Sequence, residues 1–164
     1  MAVDLLAQRC GVRLRAEGPA LLLGRIRRAG REVLLAKPTT FMNDSGRAAL
    51  QLRDRHGVEP EGMLVVVDDL DLPFGRFRLK AGGGAGTHNG MRSLVRMLGS
   101  DQFPRLRLGI GPAPEGEDLA DWVLADFERE EMAQVGNILD TAVDCLEATL
   151  LDGVSAAMNR FNAR

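Results

Sequence analysis

The stretch MLVVVDD, Met63–Asp69, constrains this chain more than any other part of it. Its apolar residues run without alternation, most of them β-branched, and stop at two acids. A strand apolar on both sides must be covered on both faces, which is the habit of a buried strand in a parallel sheet. The carboxyl end of such a strand opens into the crevice where α/β sheets take their ligands, and here it carries Asp68, Asp69 and Asp71 ahead of Pro73.

Around this strand the sequence alternates between two periods. Val3–Cys10 has helical apolar spacing and starts almost on Met1, with no residue ahead of it to cap it. Ala20–Arg27 and Arg31–Pro38 read as two strands of an antiparallel hairpin with Arg28–Gly30 between them, the second stopped by Pro38. Thr39–Ser45 reads as a polar turn and Ser45–Arg55 as a helix with Ala48, Ala49 and Leu52 on one face, closed by His56-Gly57. Gly75–Lys80 alternates like a strand, and a helix is expected from Asn89 or Gly90 to Leu98. Arg105–Gly109 is a strand, Pro112–Gly116 a loop, Glu128–Leu151 a long helix with acids at its start, and Val154–Phe161 a short last helix. The expected fold is α/β: one domain over residues 1–164, a three-layer sandwich around a mixed, mostly parallel sheet.

Composition excludes several function classes. A net charge of -2 gives no global attraction to polyanions, so an RNA or DNA partner would need a local basic patch. The lack of tyrosine and the single tryptophan argue against an aromatic platform for stacking bases. Cys10 and Cys145 fit no metal or redox spacing, and without a signal peptide they read as buried thiols of a cytoplasmic protein. No apolar run reaches membrane-spanning length.

The densest chemistry lies in LKAGGGAGTHNG, Leu79–Gly90. Glycines in such a run mark tight turns or close approach to a ligand. The run is neither a dinucleotide fingerprint nor a P-loop, since the third glycine is out of place and no Gly-Lys-Ser/Thr follows. It does lead into a helix, whose first N–H groups suit a phosphate or carbonyl oxygen. An ordinary turn remains an alternative. The aspartates Asp68, Asp69 and Asp71 fit a capped turn before Pro73, a carboxylate that orients a histidine, or, more weakly, a metal site. His88 lies inside the polar loop and is a candidate substrate contact, whereas His56 sits where an imidazole caps a helix end or faces solvent. Lys80, Arg92, Arg96 and Arg107 could form the missing basic patch or be solvated charges. Asn43 could donate to a substrate carbonyl or cap the helix after it.

Three segments together, Pro38–Gly46 (PTTFMNDSG), Asp68–Gly90 (DDLDLPFGRFRLKAGGGAGTHNG) and Arg105–Gly111 (RLRLGIG), resemble bacterial peptidyl-tRNA hydrolases, in order and over nearly the whole chain. That resemblance implies a cytoplasmic, monomeric α/β enzyme that needs no metal or cofactor. Its substrate is peptidyl-tRNA, and it hydrolyses the ester between the peptide and the 3′ ribose. It implies Asp68 as the carboxylate of a histidine–aspartate pair, with Asn43 and Asn89 as amides of the catalytic site. It places Phe41, Met42, His88 and Gly86 against the substrate, and Lys80 and Arg107 on the tRNA phosphates.

Two departures from the family pattern matter. The family opens with a central strand, a Gly-Asn-Pro-Gly turn and a histidine segment, whereas this sequence begins inside the helix that follows, so the strand and the catalytic histidine have no counterpart. One expectation is an active enzyme of which these residues are an incomplete copy. The other is a chain that begins at Met1 and binds tRNA without cleaving it, or in which His88 replaces the base. A missing central strand would leave unpaired backbone that a neighbouring segment or subunit fills. The second departure is Gly111–Leu119, GPAPEGEDL, where the family tends to carry a basic residue and this chain carries acids. A hydrolase of another substrate or a phosphate-binding module on the same fold is the competing class.

Overall fold

β4, Val65–Pro73, packs apolar neighbours on both faces, but Val65, Val66 and Val67 stay half-buried and Asp69 is its one buried residue. In this computed structural model, which describes residues 1–162, Val66 packs toward one core and Val65 and Val67 toward another. The first core gathers Leu6 and Ala7 of α1 (Ala2–Arg9), Leu79 of β5 (Phe77–Lys80) and Leu106 of β6 (Arg105–Gly111). It is completed by Ala142, Val143 and Leu146 of α5 (Arg129–Asp152) and Phe161 of α6 (Val154–Phe161). The second core joins β4 to Ala49 of α2 (Gly46–His56), to Met91, Leu94 and Leu98 of α3 (Asn89–Leu98), and to Phe103, which is fully buried.

Strand order in this sheet is β4-β6-β5. β4 runs parallel to β6, with Val65 opposite Arg105 and Asp69 opposite Gly109, while β5 returns antiparallel, with Phe77 opposite Leu108. The sheet is therefore mixed, as expected. Its longer pairing among the described residues, β4–β6, is parallel, and β5 pairs antiparallel because a tight reversal after Pro73 turns the chain back. A second three-stranded sheet holds β1 (Arg15–Glu17), β2 (Leu21–Arg28) and β3 (Arg31–Pro38), all antiparallel. The expected hairpin is its core, with Arg28 opposite Arg31 across the turn.

Several boundaries differ for visible reasons. β1 was not anticipated, since three residues carry no period. Nor was α4 (Leu119–Leu124), which forms in the acidic loop because the Asp118 carboxylate accepts the N–H groups of Ala120 and Asp121 at 2.8 and 3.2 Å. α5 begins with a reciprocal pair of caps between Glu128 and Glu131. His56 does not face solvent: its Nε2 lies 2.5 Å from Glu17 Oε1 and ties the end of α2 to β1. Cys145 is buried, and burial pushes its thiol up to about 11, whereas Cys10 is only half-buried and accepts a hydrogen bond from Arg28 at 2.9 Å. Asn162 pins β5 to the end of α6 by accepting from Leu79 N–H and donating to its carbonyl, at 2.9 and 2.8 Å. No helix among the described residues is long and apolar enough to cross a membrane.

α2 and α3 touch backbone to backbone at Gly46. A Cβ there would lie 2.3 Å from the Ser93 carbonyl oxygen, and the Gly46 N–H already donates to Ser93 Oγ at 3.0 Å. Gly46→Ala should therefore cost about 1–3 kcal/mol by forcing the helices apart, read as a lower urea midpoint with the denaturant slope unchanged.

Candidate active site

Three elements deliver polar groups to one place: the end of β4, the loop from Ala81 to His88 that enters α3, and the 3-10 turn Met42–Asp44 ahead of α2. Consecutive side chains on a strand point to opposite faces, so the neighbours Asp68 and Asp69 have separate duties. Asp69 is buried. One of its oxygens accepts the N–H of Asp71 at 2.9 Å, and the other is paired with the guanidinium of Arg107. Arg107 also lies 3.5 Å from Asp71. Asp68 instead stays partly exposed and faces His88, with its Oδ1 3.7 Å from Nε2 of the ring. That is longer than a formed hydrogen bond.

The ring of His88 is oriented by the helix it starts. As the N-cap of α3, His88 accepts the N–H of Met91 on Nδ1 at 3.1 Å. This assigns the neutral ring's proton to Nε2, turned toward Asp68. His88 holds the Asp68 carboxyl below its ordinary value of 3.8, against burial, which acts in the opposite direction. The one lone pair of the neutral ring is therefore spent on the backbone of its own helix.

Asn43 and Asn89, far apart in sequence, line one cleft of about 200 Å³ together with Arg92, Ser93 and Arg96. Both asparagines are exposed, and neither side-chain amide is engaged among the described residues. Asn43 is not the cap of α2, a place taken by Ser45. Met42 closes the gap between the turn and α3: a Cβ on Gly90 would lie 2.6 Å from Met42 Sδ and 2.9 Å from the His88 ring, so a side chain there would displace one or the other. Phe41, 86% exposed, stands outside the cleft beside Met42. The Gly86 carbonyl accepts from Arg92 Nε at 3.0 Å, so Gly86 contributes backbone to the loop's shape.

Of the four cations expected to form a basic patch, Arg92 and Arg96 line the cleft with the two asparagines. Lys80, at the end of β5, has no acidic partner among the described residues, but Arg107 is neutralised by Asp69 and Asp71. Arg105 was read only as part of a strand, although it is 3% exposed and bonded to the carbonyls of the glycine loop. Nothing in its spacing distinguishes it from Arg107 two residues on. No group of three or more His, Cys, Asp and Glu placed to hold a metal ion occurs among the described residues.

Two outcomes follow from the His88–Asp68 arrangement. Asp68 has a depressed pKa in the folded chain, so its contribution to stability is present above 3.8 and is lost as pH falls through the lower folded value. Urea titrations from pH 7 to pH 3 should show an acid-side loss of stability that Asp68→Asn flattens. His88→Ala should cost about 1 kcal/mol by removing the cap, and His88→Asn should recover most of it.

Comparison with known proteins meets this geometry from outside. Residues 1–164 match the family model described as peptidyl-tRNA hydrolase. The peptidyl-tRNA hydrolase of Chloroflexus aurantiacus is 44% identical over 162 residues, 98% of this chain and 86% of the relative. That of Alkaliphilus oremlandii is 40% identical over 161 residues, again 98% of this chain and 86% of the relative. The crystal structure of peptidyl-tRNA hydrolase from Acinetobacter baumannii superposes with a TM-score of 0.89 at 34% identity, covering 99% of this chain and 83% of that one. A match over the full length of the sequence, relatives of this identity and a shared fold have one meaning: the chain belongs to the peptidyl-tRNA hydrolase family.

Proposed function

We propose that this chain hydrolyses peptidyl-tRNA, releasing the peptide as a carboxylate and the tRNA with a free 3′ hydroxyl, and that residues 1–164 act as one domain, a monomer in the cytoplasm. The observation that supports it best is the convergence of Asn43 and Asn89 on one cleft beside the Asp68–His88 pair. Water adds to the ester carbonyl, and two unengaged amides are the donors suited to the oxyanion that forms. Phe41 and Met42 supply the apolar wall against which a peptide side chain rests.

Asp68 orients; it does not take the proton. Its lowered pKa makes it a poorer base than an ordinary carboxylate, and so better suited to holding an imidazole. His88 positions the carboxylate, because its Nδ1 accepts from Met91. His56, the second histidine of the sequence, is tied to Glu17. The base implied by the family resemblance is another imidazole, and Asp68 has a second oxygen for it. On the RNA side, Lys80 is the stronger candidate for a phosphate contact, since Arg107 already has two acids.

The test is release of peptide from an N-blocked aminoacyl-tRNA, with and without added free imidazole. Release above the buffer rate, raised by imidazole in the unsubstituted chain and not in Asp68→Asn, is the expected outcome. Release no faster than buffer under both conditions overturns the proposal. Asn43→Ala and Asn89→Ala should each lower kcat/KM about a hundredfold. Binding of tRNA should weaken with salt. Lys80→Ala should reduce the log–log salt slope by about one, whereas Arg107→Ala should leave the slope nearly unchanged and lower stability.

A further inference from the structure

Arg105 is a buried cation without a carboxylate. Its five N–H donors make five hydrogen bonds to four backbone carbonyls: Nη1 to Gly83 and Gly84 at 2.5 and 3.1 Å, Nη2 to Asp101 and Phe103 at 2.8 and 3.2 Å, and Nε to Phe103 at 3.3 Å. Its guanidinium also lies 4.5 Å from the centre of the Phe103 ring. Burial pushes its pKa below the usual arginine value, with the charge of Asp101 acting against this. So complete a use of an arginine fixes one thing above all, the direction in which the glycine loop's peptide groups face.

In a trans peptide the C=O and the following N–H point in opposite directions. With the carbonyls of Gly83 and Gly84 drawn inward, the N–H groups of Gly84 and Ala85 are aimed away from the guanidinium. Neither N–H has an acceptor among the described residues. Gly84 is exposed, and Lys80 at the head of the loop has no acidic partner there. Two directed donors on a loop that begins at an unpaired lysine suit an anionic oxygen.

We propose that Arg105 is a positioning residue for substrate binding, which presents the N–H groups of Gly84 and Ala85 to a phosphate oxygen of the RNA. This rests on the tRNA reading above. Arg105 does not meet the substrate. It replaces the flexibility of a glycine run with a single orientation, so that binding does not have to order the loop first.

The experiment uses the full chain and a tRNA whose peptide is joined through a 3′ amide, so that binding is read without cleavage. Arg105→Lys, which keeps the charge but loses the planar fork, should speed hydrogen exchange at Gly83, whose N–H donates to the Asp101 carbonyl at 3.1 Å, at least tenfold, leave α5 unchanged, and raise Kd about tenfold. Gly84→Pro removes one donor and leaves Arg105 in place, and it should raise Kd by a similar factor. Gly84→Ala, which restores the N–H and whose Cβ meets open space, should recover the affinity. A loop loosened by Arg105→Lys with Kd unchanged, or equal affinity for Gly84→Pro and Gly84→Ala, overturns the inference. A chain that binds the amide-linked tRNA but does not cleave the ester removes the hydrolase reading and leaves this one standing. Failure of the unsubstituted chain to bind removes both.

Discussion

The parallel pairing of β4 with β6 is the constraint on which the other parts of the site depend. It places Asp69 beside Arg107, so the acid turned to one face of β4 is neutralised from the neighbouring strand. It also sets Arg105 at the start of β6, opposite Val65, within reach of the glycine loop. The two arginines of one short strand thus hold the two segments that carry the polar chemistry: Arg107 the acidic end of β4, Arg105 the loop into α3. Loss of the pairing would free both at once, however well the helices packed.

Charge in this site is assigned with little redundancy. Asp69 and Asp71 share Arg107, His88 faces Asp68, and the N–H groups of Arg105 are taken up by backbone carbonyls. Breaking a buried pair by removing one partner costs more than the pair itself contributes, because the remaining charge is left desolvated. Among the acids at the end of β4, Asp68 alone combines partial exposure with a neighbouring imidazole, which sets its role apart from that of Asp69.

Much of this was legible in the sequence. The unbroken apolar run of β4, the period of α3 and the hairpin of β2 and β3 each follow from one local pattern, and each is found. The family resemblance put Asn43 and Asn89 in one list before any geometry placed them on one cleft. What the sequence does not show is how a charge is used. Arg105 and Arg107 are two positions apart on one face, yet one meets carbonyls and the other acids, and only the paths of the glycine loop and of β4 decide which. The tie between His56 and Glu17 was hidden for the same reason, since β1 is too short to have a period.

The contact between Met42 and Gly90 carries a chemical liability. The thioether is half-exposed and stands where even a methyl group on Gly90 has no room. Oxidation to the sulfoxide adds a polar oxygen to that sulfur. Toward α3 the added atom has no room, so either the thioether turns out to solvent or the 3-10 turn shifts and changes the spacing of Asn43 and Asn89. The same close packing that holds the turn against α3 therefore exposes the neighbouring cleft to peroxide, through a side chain whose own part is to pack and not to move a proton.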